Sequence, residues 1–370
     1  MRVAVIIERL SGLGGGVEAA AFQLLRELGR RGVDVTVVCR RAEEAPPPGV
    51  RVLELRIPAG WQPLRLLAFS HRAARASRGF DVVHAYSRTR RQHLYRAGGG
   101  SHADYMERVY TRPQFLRLLS PRHRAILAIE EAVFRDPGQL LQCNARGTAN
   151  QITARYGVDP DRIAVVYNGV DTERFHPRNR GETRDRVRRE LGLEGHAALF
   201  AGNGFRRKGL DRAIEALARS SSPATLLVAG ADDPAPYRRL ATASGIGERV
   251  RFLGRRADVE SLYAAADLLV LPTRYDAFAN VCLEAMAAGL PVATTPTNGA
   301  SELISHGENG LVLEHDWSPA WALLEQPERG ASFAAAARET AAAHTWSRHT
   351  DQVLALYARI TEARRAAQPA

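Results

Sequence analysis

Short apolar runs alternate with helix-period stretches along nearly the whole chain. Residues 3–7 (VAVII) read as a strand. A glycine loop follows at Gly12, Gly14, Gly15 and Gly16. From about Val17 onward, Ala21, Leu24, Leu25 and Leu28 fall on one helical face. Gly32 ends that helix, and 33–39 reads as the next strand, with further strands at 50–55, 81–85, 140–142 and 163–166. The plan then repeats. Residues 197–201 form a strand, 202–209 a glycine-bearing loop and 210–218 a helix, with strands at 225–229, 250–253, 268–271, 291–294 and 311–313.

Such alternation predicts parallel sheets covered by helices on both faces. The expected architecture is α/β, with two Rossmann-like doubly wound domains facing each other across a cleft. The polar, Arg-rich stretch 168–190 carries the boundary, giving domains 1–167 and 168–346. A last helix, 347–370, is expected to pack back toward the first domain. Ligands in such sheets bind beyond the carboxyl ends of the strands, where both glycine loops sit.

Composition narrows this little. With 370 residues and 45% hydrophobic content the chain can build two ordinary cores. No apolar run reaches the ~20 residues needed to cross a bilayer, and residues 1–7 lack the form of a secretory signal. A cytoplasmic protein is expected. The three cysteines, Cys39, Cys143 and Cys282, have no metal-ligand spacing. The net charge of +11 suits nucleic acid, an anionic membrane or an anionic substrate. Yet of 51 basic residues Lys208 is the one lysine, so the arginine excess also reads as a coding bias. The arginines are scattered and no nucleic-acid motif is present, so no nucleic-acid partner is expected.

The first glycine loop is G-x-G-G-G, and the strand after it ends in Cys39-Arg40-Arg41 with no acid for a ribose, which disfavours a dinucleotide. The chemistry concentrates in the second half. Gly202–Gly209 brings Arg206, Arg207 and Lys208 to a helix start, which suits a diphosphate. Where arginine is used almost everywhere else, a lone lysine suggests that a compact ammonium is wanted. Asp276 and Glu284 bridge a strand end and an Ala-rich helix, with Glu284 at or just inside its first turn, where it can accept two hydrogen bonds from a ribose diol. The amides of the loop at Asn298 and Gly299 can cradle phosphate.

These three segments resemble the donor-binding half of family 4 glycosyltransferases, most strongly the lipopolysaccharide-core heptose glucosyltransferase group. The residues that carry the likeness are Phe205, Arg207, Lys208, Gly209, Asp211 and Arg212, with 275–289 and 291–302. The resemblance implies a GT-B fold, a nucleotide-sugar donor such as UDP-glucose, no cofactor or required metal, and retention of anomeric configuration. It assigns Arg207 and Lys208 to the diphosphate, Glu284 to the ribose, and Asn298 and Gly299 to a loop near the donor. Asp276 falls to the donor sugar, at a position where the group commonly has Glu.

In the first half, the stretch 14–18, with Gly15, Gly16 and Glu18, resembles the loop facing donor phosphates and acceptor. His102, after Arg96-Ala97-Gly98-Gly99-Gly100-Ser101, matches the active-site histidine that lies against the donor sugar. His84 is a weaker candidate. His93 stands where the group often has Asp, as an acceptor-side residue. A glycan or glycolipid acceptor such as lipopolysaccharide core is implied. The interleaved aromatics and arginines of 105–135 suggest peripheral contact with an anionic membrane at its inner face. Rival readings are an epimerase or phosphorylase on the same fold, a basic nucleic-acid-binding protein, and a non-catalytic scaffold.

Overall fold

A computed structural model describes residues 1–12, 14–57, 60–110 and 119–366. The chain forms two compact units, Met1–Gly169 with Trp346–Ala370, and Val170–Thr345.

The first unit carries a seven-stranded parallel sheet. Its strands are β1 (Arg2–Leu10), β2 (Asp34–Ala42), β3 (Val50–Glu54), β4 (Val82–Ala85), β5 (Leu94–Arg96), β6 (Leu140–Cys143) and β7 (Ile163–Val165), in the order β3-β2-β1-β4-β5-β6-β7. Period-two alternation sends the β1 side chains to two different cores. Val3, Val5 and Ile7 pack with Leu24, Leu25 and Leu28 of helix Gly16–Arg30 and with Val353, Tyr357 and Ile360 of helix Trp346–Ala366. Ala4 and Ile6 join Phe69, Ile129, Val133 and Phe134 on the opposite face. Burial on both faces explains why these strands read as continuous apolar runs. Helix Gly16–Arg30 stops at Gly32, whose φ of +68° lets Val33 N turn back onto Leu28 O at 3.1 Å.

The second unit has a six-stranded parallel sheet. Its strands are β8 (Ala197–Ala201), β9 (Thr225–Ala229), β10 (Val250–Gly254), β11 (Leu268–Leu271), β12 (Val292–Thr294) and β13 (Leu311–Val312), in the order β10-β9-β8-β11-β12-β13. Strand order reverses beside β1 in one sheet and beside β8 in the other. Each sheet's glycine loop follows the strand at that switch point, where loops diverge and leave room for a ligand.

Two local expectations change. Strand β5 is missing from the hydrophobic pattern because it has three residues, one of them Arg96. The loop 202–209 contains a helical turn, Phe205–Lys208, so its basic residues ride on a helix.

Candidate functional site

The second unit gathers Arg207, Lys208 and Asp276. Gly202 (φ +117°) and Gly204 (φ +80°) turn the chain sharply after β8. Asp232 Oδ2 accepts the Phe205 amide at 2.6 Å and so caps the short helical turn. Gly209 (φ +78°) closes it, and an added Cβ there would fall 2.0 Å from Pro272 O. The turn is therefore pressed against the loop after β11. Thr273 Oγ1 and Arg274 N both donate to Arg207 O, at 2.9 and 2.8 Å. Arg274 also grips Asp211 bidentately, at 2.8 and 2.6 Å. Helix Leu210–Arg219 buries Leu210, Ile214 and Leu217 beneath, each aliphatic side chain contributing roughly 1.5–3 kcal/mol.

On this base the two cations converge on one carboxylate. Arg207 Nη1 lies 2.5 Å and Lys208 Nζ 3.0 Å from Asp276 Oδ2. Lys208 is 5% exposed. Its stem runs over Gly202, where a Cβ would fall 2.6 Å from Lys208 Cε. Glycine is thus needed at 202 both for its backbone angle and for the lysine's path. Burial alone would push Asp276 up, but Lys208 and then Arg207 outweigh it and hold the carboxyl well below the usual range. Two cations on one carboxylate leave a net positive charge, and Lys208 spends one of its three donors on Asp276. That is the electrostatic character an anionic leaving group requires.

Glu284 is the fifth residue of helix Asn280–Ala287, one place deeper than the first turn. Burial pushes its carboxyl up, and the Tyr263 hydroxyl, donating to Oε2 at 2.8 Å, offsets part of this. Tyr263 carries no signal in the sequence. Asp211 was visible within the basic motif, but its partner Arg274 was not.

The loop at 298–299 takes a different part from the one expected. Asn298 is fully buried, its Oδ1 accepting from Ala279 N (3.0 Å) and Ala300 N (3.1 Å) and its Nδ2 donating to Thr294 Oγ1 (2.9 Å). Asp276 N donates to Thr297 O, Gly299 N to Asp276 O, and Ser301 N to Asn298 O. The amides of Gly299, Ala300 and Ser301 are thus consumed within the protein and do not form a phosphate cradle. Thr297 O and Gly299 N instead hold the backbone of Asp276 from both sides, while the Asn298 side chain ties Ala279, Ala300 and Thr294 together.

In the first unit, Gly15 is the N-cap and Gly16 the first residue of helix Gly16–Arg30. Gly12 N and Ser11 Oγ both donate to Glu44 Oε1 at 2.9 Å, which anchors the start of the loop. Glu18, in the first turn, pairs with Arg9 at 3.0 Å. His102 opens helix His102–Val109 rather than lying in a loop. Ser101 caps that helix, and Glu130 Oε2 accepts the His102 amide at 2.7 Å. The His102 ring is stacked on Tyr105 and lies 2.9 Å from His123 Nδ1. Burial, then nearby Arg88, His123 and Arg122, lower its pKa to about 3, so the ring is neutral near neutral pH.

The two other histidine candidates occupy structural positions. His84 is a core residue, fully buried with Nδ1 2.8 Å from the Tyr357 hydroxyl. His93 stands one residue before β5, its N donating to Val83 O and its O accepting from Leu140 N. That is the amino end of the sheet, opposite the edge where parallel sheets bind ligands. His93 therefore does not serve the acceptor. Its Nδ1 accepts from Val83 N at 3.0 Å, and burial and Arg364 pull its pKa down to about 4.

Of the 105–135 residues expected at a membrane, Arg112, Phe115, Leu116 and Arg117 lie outside the described residues. Tyr105 and Tyr110 are half-buried and meet edge-on at 5.7 Å. Leu119 is 71% exposed, and Arg108, Arg122 and Arg124 are exposed. Among the described residues no helix is long and apolar enough to cross a membrane.

Comparison with known proteins agrees with this geometry. Residues 14–174 match the model for Glycosyltransferase Family 4, and residues 195–324 that for Glycosyl transferases group 1. D-inositol 3-phosphate glycosyltransferase 1 of Catenulispora acidiphila is 30% identical over 94% of this chain and 91% of its own. Lipopolysaccharide glucosyltransferase WaaG of Escherichia coli is 34% identical over 58% of this chain and 59% of its own. A crystal structure of WaaG, a glycosyltransferase involved in lipopolysaccharide biosynthesis, superposes with a TM-score of 0.81 at 25% identity, covering 95% of this chain and 98% of that one. The two parallel sheets, the glycine loops at their switch points and these matches together make the chain a GT-B enzyme that belongs to the group 1, family 4 glycosyltransferases.

Proposed function

We propose that the protein is a retaining hexosyltransferase that moves glucose from a UDP-sugar to a glycan or glycolipid acceptor such as lipopolysaccharide core. The observation that carries this reading is the Arg207–Lys208–Asp276 cluster. It places two cations at the carboxyl end of the second sheet, with Glu284 one helix away for the ribose. In the transfer the bond from sugar C1 to the β-phosphate oxygen breaks, and a bond from the acceptor oxygen to C1 forms on the same face. The acceptor proton passes to the departing phosphate. Arg207 and Lys208 stabilise the charge developing on that phosphate, so the step asks for no metal or cofactor. Asp276 holds both cations in place and faces the donor sugar.

A second acceptor class has a specific observation behind it. The Catenulispora relative, aligned over 94% of the chain, is named for D-inositol 3-phosphate, so a phosphorylated cyclitol is the alternative acceptor. The enzyme acts in the cytoplasm, in peripheral contact with anionic lipid through 105–135. Exposed Leu119 with Arg108, Arg122 and Arg124 supports that contact. Equal flotation with anionic and neutral vesicles at low salt would remove it.

A thermal-shift screen against nucleotide sugars tests the donor, because a ligand of the native state raises the melting temperature. NMR of the product's anomeric proton tests retention. Absence of a shift with every nucleoside diphosphate sugar defeats the reading.

A further inference from the structure

The first unit holds a second cationic centre that the donor chemistry does not use. Arg96, the last residue of β5, is 2% exposed. Its Nη2 donates to Asn168 Oδ1 at 2.7 Å, and its guanidinium lies 4.9 Å from the centre of the Tyr86 ring. Nε and Nη1 have no partner. Among the described residues no carboxylate is paired with it. The groups that favour its charge are Tyr86, Cys143 and Tyr95. Burial pushes Tyr86 and Cys143 up to about 12, so both are neutral near pH 7. Burial likewise keeps His84 and His349 neutral. A buried guanidinium with no counter-charge is strongly disfavoured unless an anion completes it.

The surroundings supply what an anion needs. The Tyr86 hydroxyl, which follows β4, is also buried without a partner, and the Gln142 amide, on β6, turns its oxygen toward His84 and leaves its NH2 unpaired. They flank Arg96 at the carboxyl ends of adjacent strands. The loop after β5 carries no side chain at Gly98, Gly99 or Gly100. A Cβ at Gly98 would fall 1.7 Å from Arg96 Nη1. The guanidinium therefore lies directly under a glycine backbone whose next residue, Gly99, is exposed. Guanidinium, hydroxyl and amide donors beside a side-chain-free loop match the acceptor-rich surface of an oxyanion.

We propose that Arg96 is the centre of an oxyanion-binding site in the first unit, for a phosphate or carboxylate group. Ion binding stands independently of the donor site. Assigning the anion to the acceptor rests on the transferase reading.

The test is titration of the full-length chain, at constant ionic strength, with inorganic phosphate and separately with a phosphomonoester such as inositol 3-phosphate. Heat and melting temperature are both followed. The parent is expected to bind, and Arg96→Gln to need roughly tenfold more of either ion. Arg96→Lys keeps the charge and retains a weaker response, so the test survives if the glutamine variant does not fold. A phosphomonoester that binds more tightly than inorganic phosphate assigns the anion to the acceptor, whereas equal binding assigns it to free phosphate. No response in the parent, or an equal response in Arg96→Gln, overturns the site. UDP binding is measured in parallel. Its loss in the parent speaks against the donor site and leaves Arg96 untouched.

Discussion

Replacing Lys208 by arginine preserves charge and tests whether the cation must be compact. The ammonium lies 3.0 Å from Asp276 Oδ2 and its stem lies against Gly202, in a position 5% exposed. Arginine is longer by one bond, about 1.3 Å, and ends in a planar fork. Asp276 Oδ2 lies 3.0 Å from the nitrogen, so the added atoms must displace Asp276 and the loop that holds it or enter the diphosphate position. Over-packing of this kind costs about 1–3 kcal/mol. Part of that falls on the diphosphate position, where about 1.4 kcal/mol corresponds to a tenfold loss in rate. The expected outcome is a folded enzyme with turnover reduced roughly tenfold or more. Lys208→Ala should lose more, because it removes the charge. Arg207→Lys should lose less, because that side chain is 27% exposed and has room to adjust. Steady-state release of UDP from the donor, with circular dichroism as the folding control, measures all three. If Lys208→Arg keeps turnover within about twofold of the parent, the geometric argument is wrong.

Three other outcomes follow from the same geometry. Glu284→Ala should weaken UDP binding by roughly 2–3 kcal/mol, the scale of lost charge-assisted hydrogen bonds, and calorimetry showing unchanged affinity would remove the ribose assignment. Asp276, held low by Lys208 and Arg207, stabilises the fold above its unfolded pKa of about 3.9 and loses that contribution as pH falls through its depressed folded value. Urea midpoints should therefore show Asp276→Asn less stable than the parent at neutral pH and level with it only in strongly acid solution, and a gap that does not change with pH contradicts this. His93→Gln should leave turnover within about twofold of the parent, since the residue lies at the amino end of its sheet; a large kinetic loss would restore an acceptor role.

Both parallel sheets were legible because strands buried on two faces carry dense apolar runs, such as 3–7 and 268–271. Strand β5 was not, since three residues including a buried arginine leave no period to detect. In the site, Arg207 and Lys208 stood out through a contrast internal to the chain, one lysine among arginines. Their convergence on Asp276 spans 68 residues of sequence and depends on how the loops after β8 and β11 pack, which local patterns do not encode. The same limit hid Tyr263 and Arg274. His93 misled for a related reason: a position in a motif says nothing about which end of a strand it occupies.

The excursion of the chain through Val170–Thr345 before it returns as helix Trp346–Ala366 has a consequence for biosynthesis. The second unit is contiguous and emerges from the ribosome complete. The first unit's core lacks Trp346, Val353, Tyr357 and Ile360 until that helix is translated. Chains are made from the N-terminus at about 5–20 residues per second, so the unit synthesised first is the one that finishes folding last. During that interval an apolar face beside β1 and helix Gly16–Arg30 stays uncovered, and the His84 imidazole lacks the Tyr357 hydroxyl. A nonsense mutation just before Trp346 would thus unmask a sticky surface in the first unit, and chaperone demand should track the completion of helix Trp346–Ala366 rather than that of Met1–Gly169.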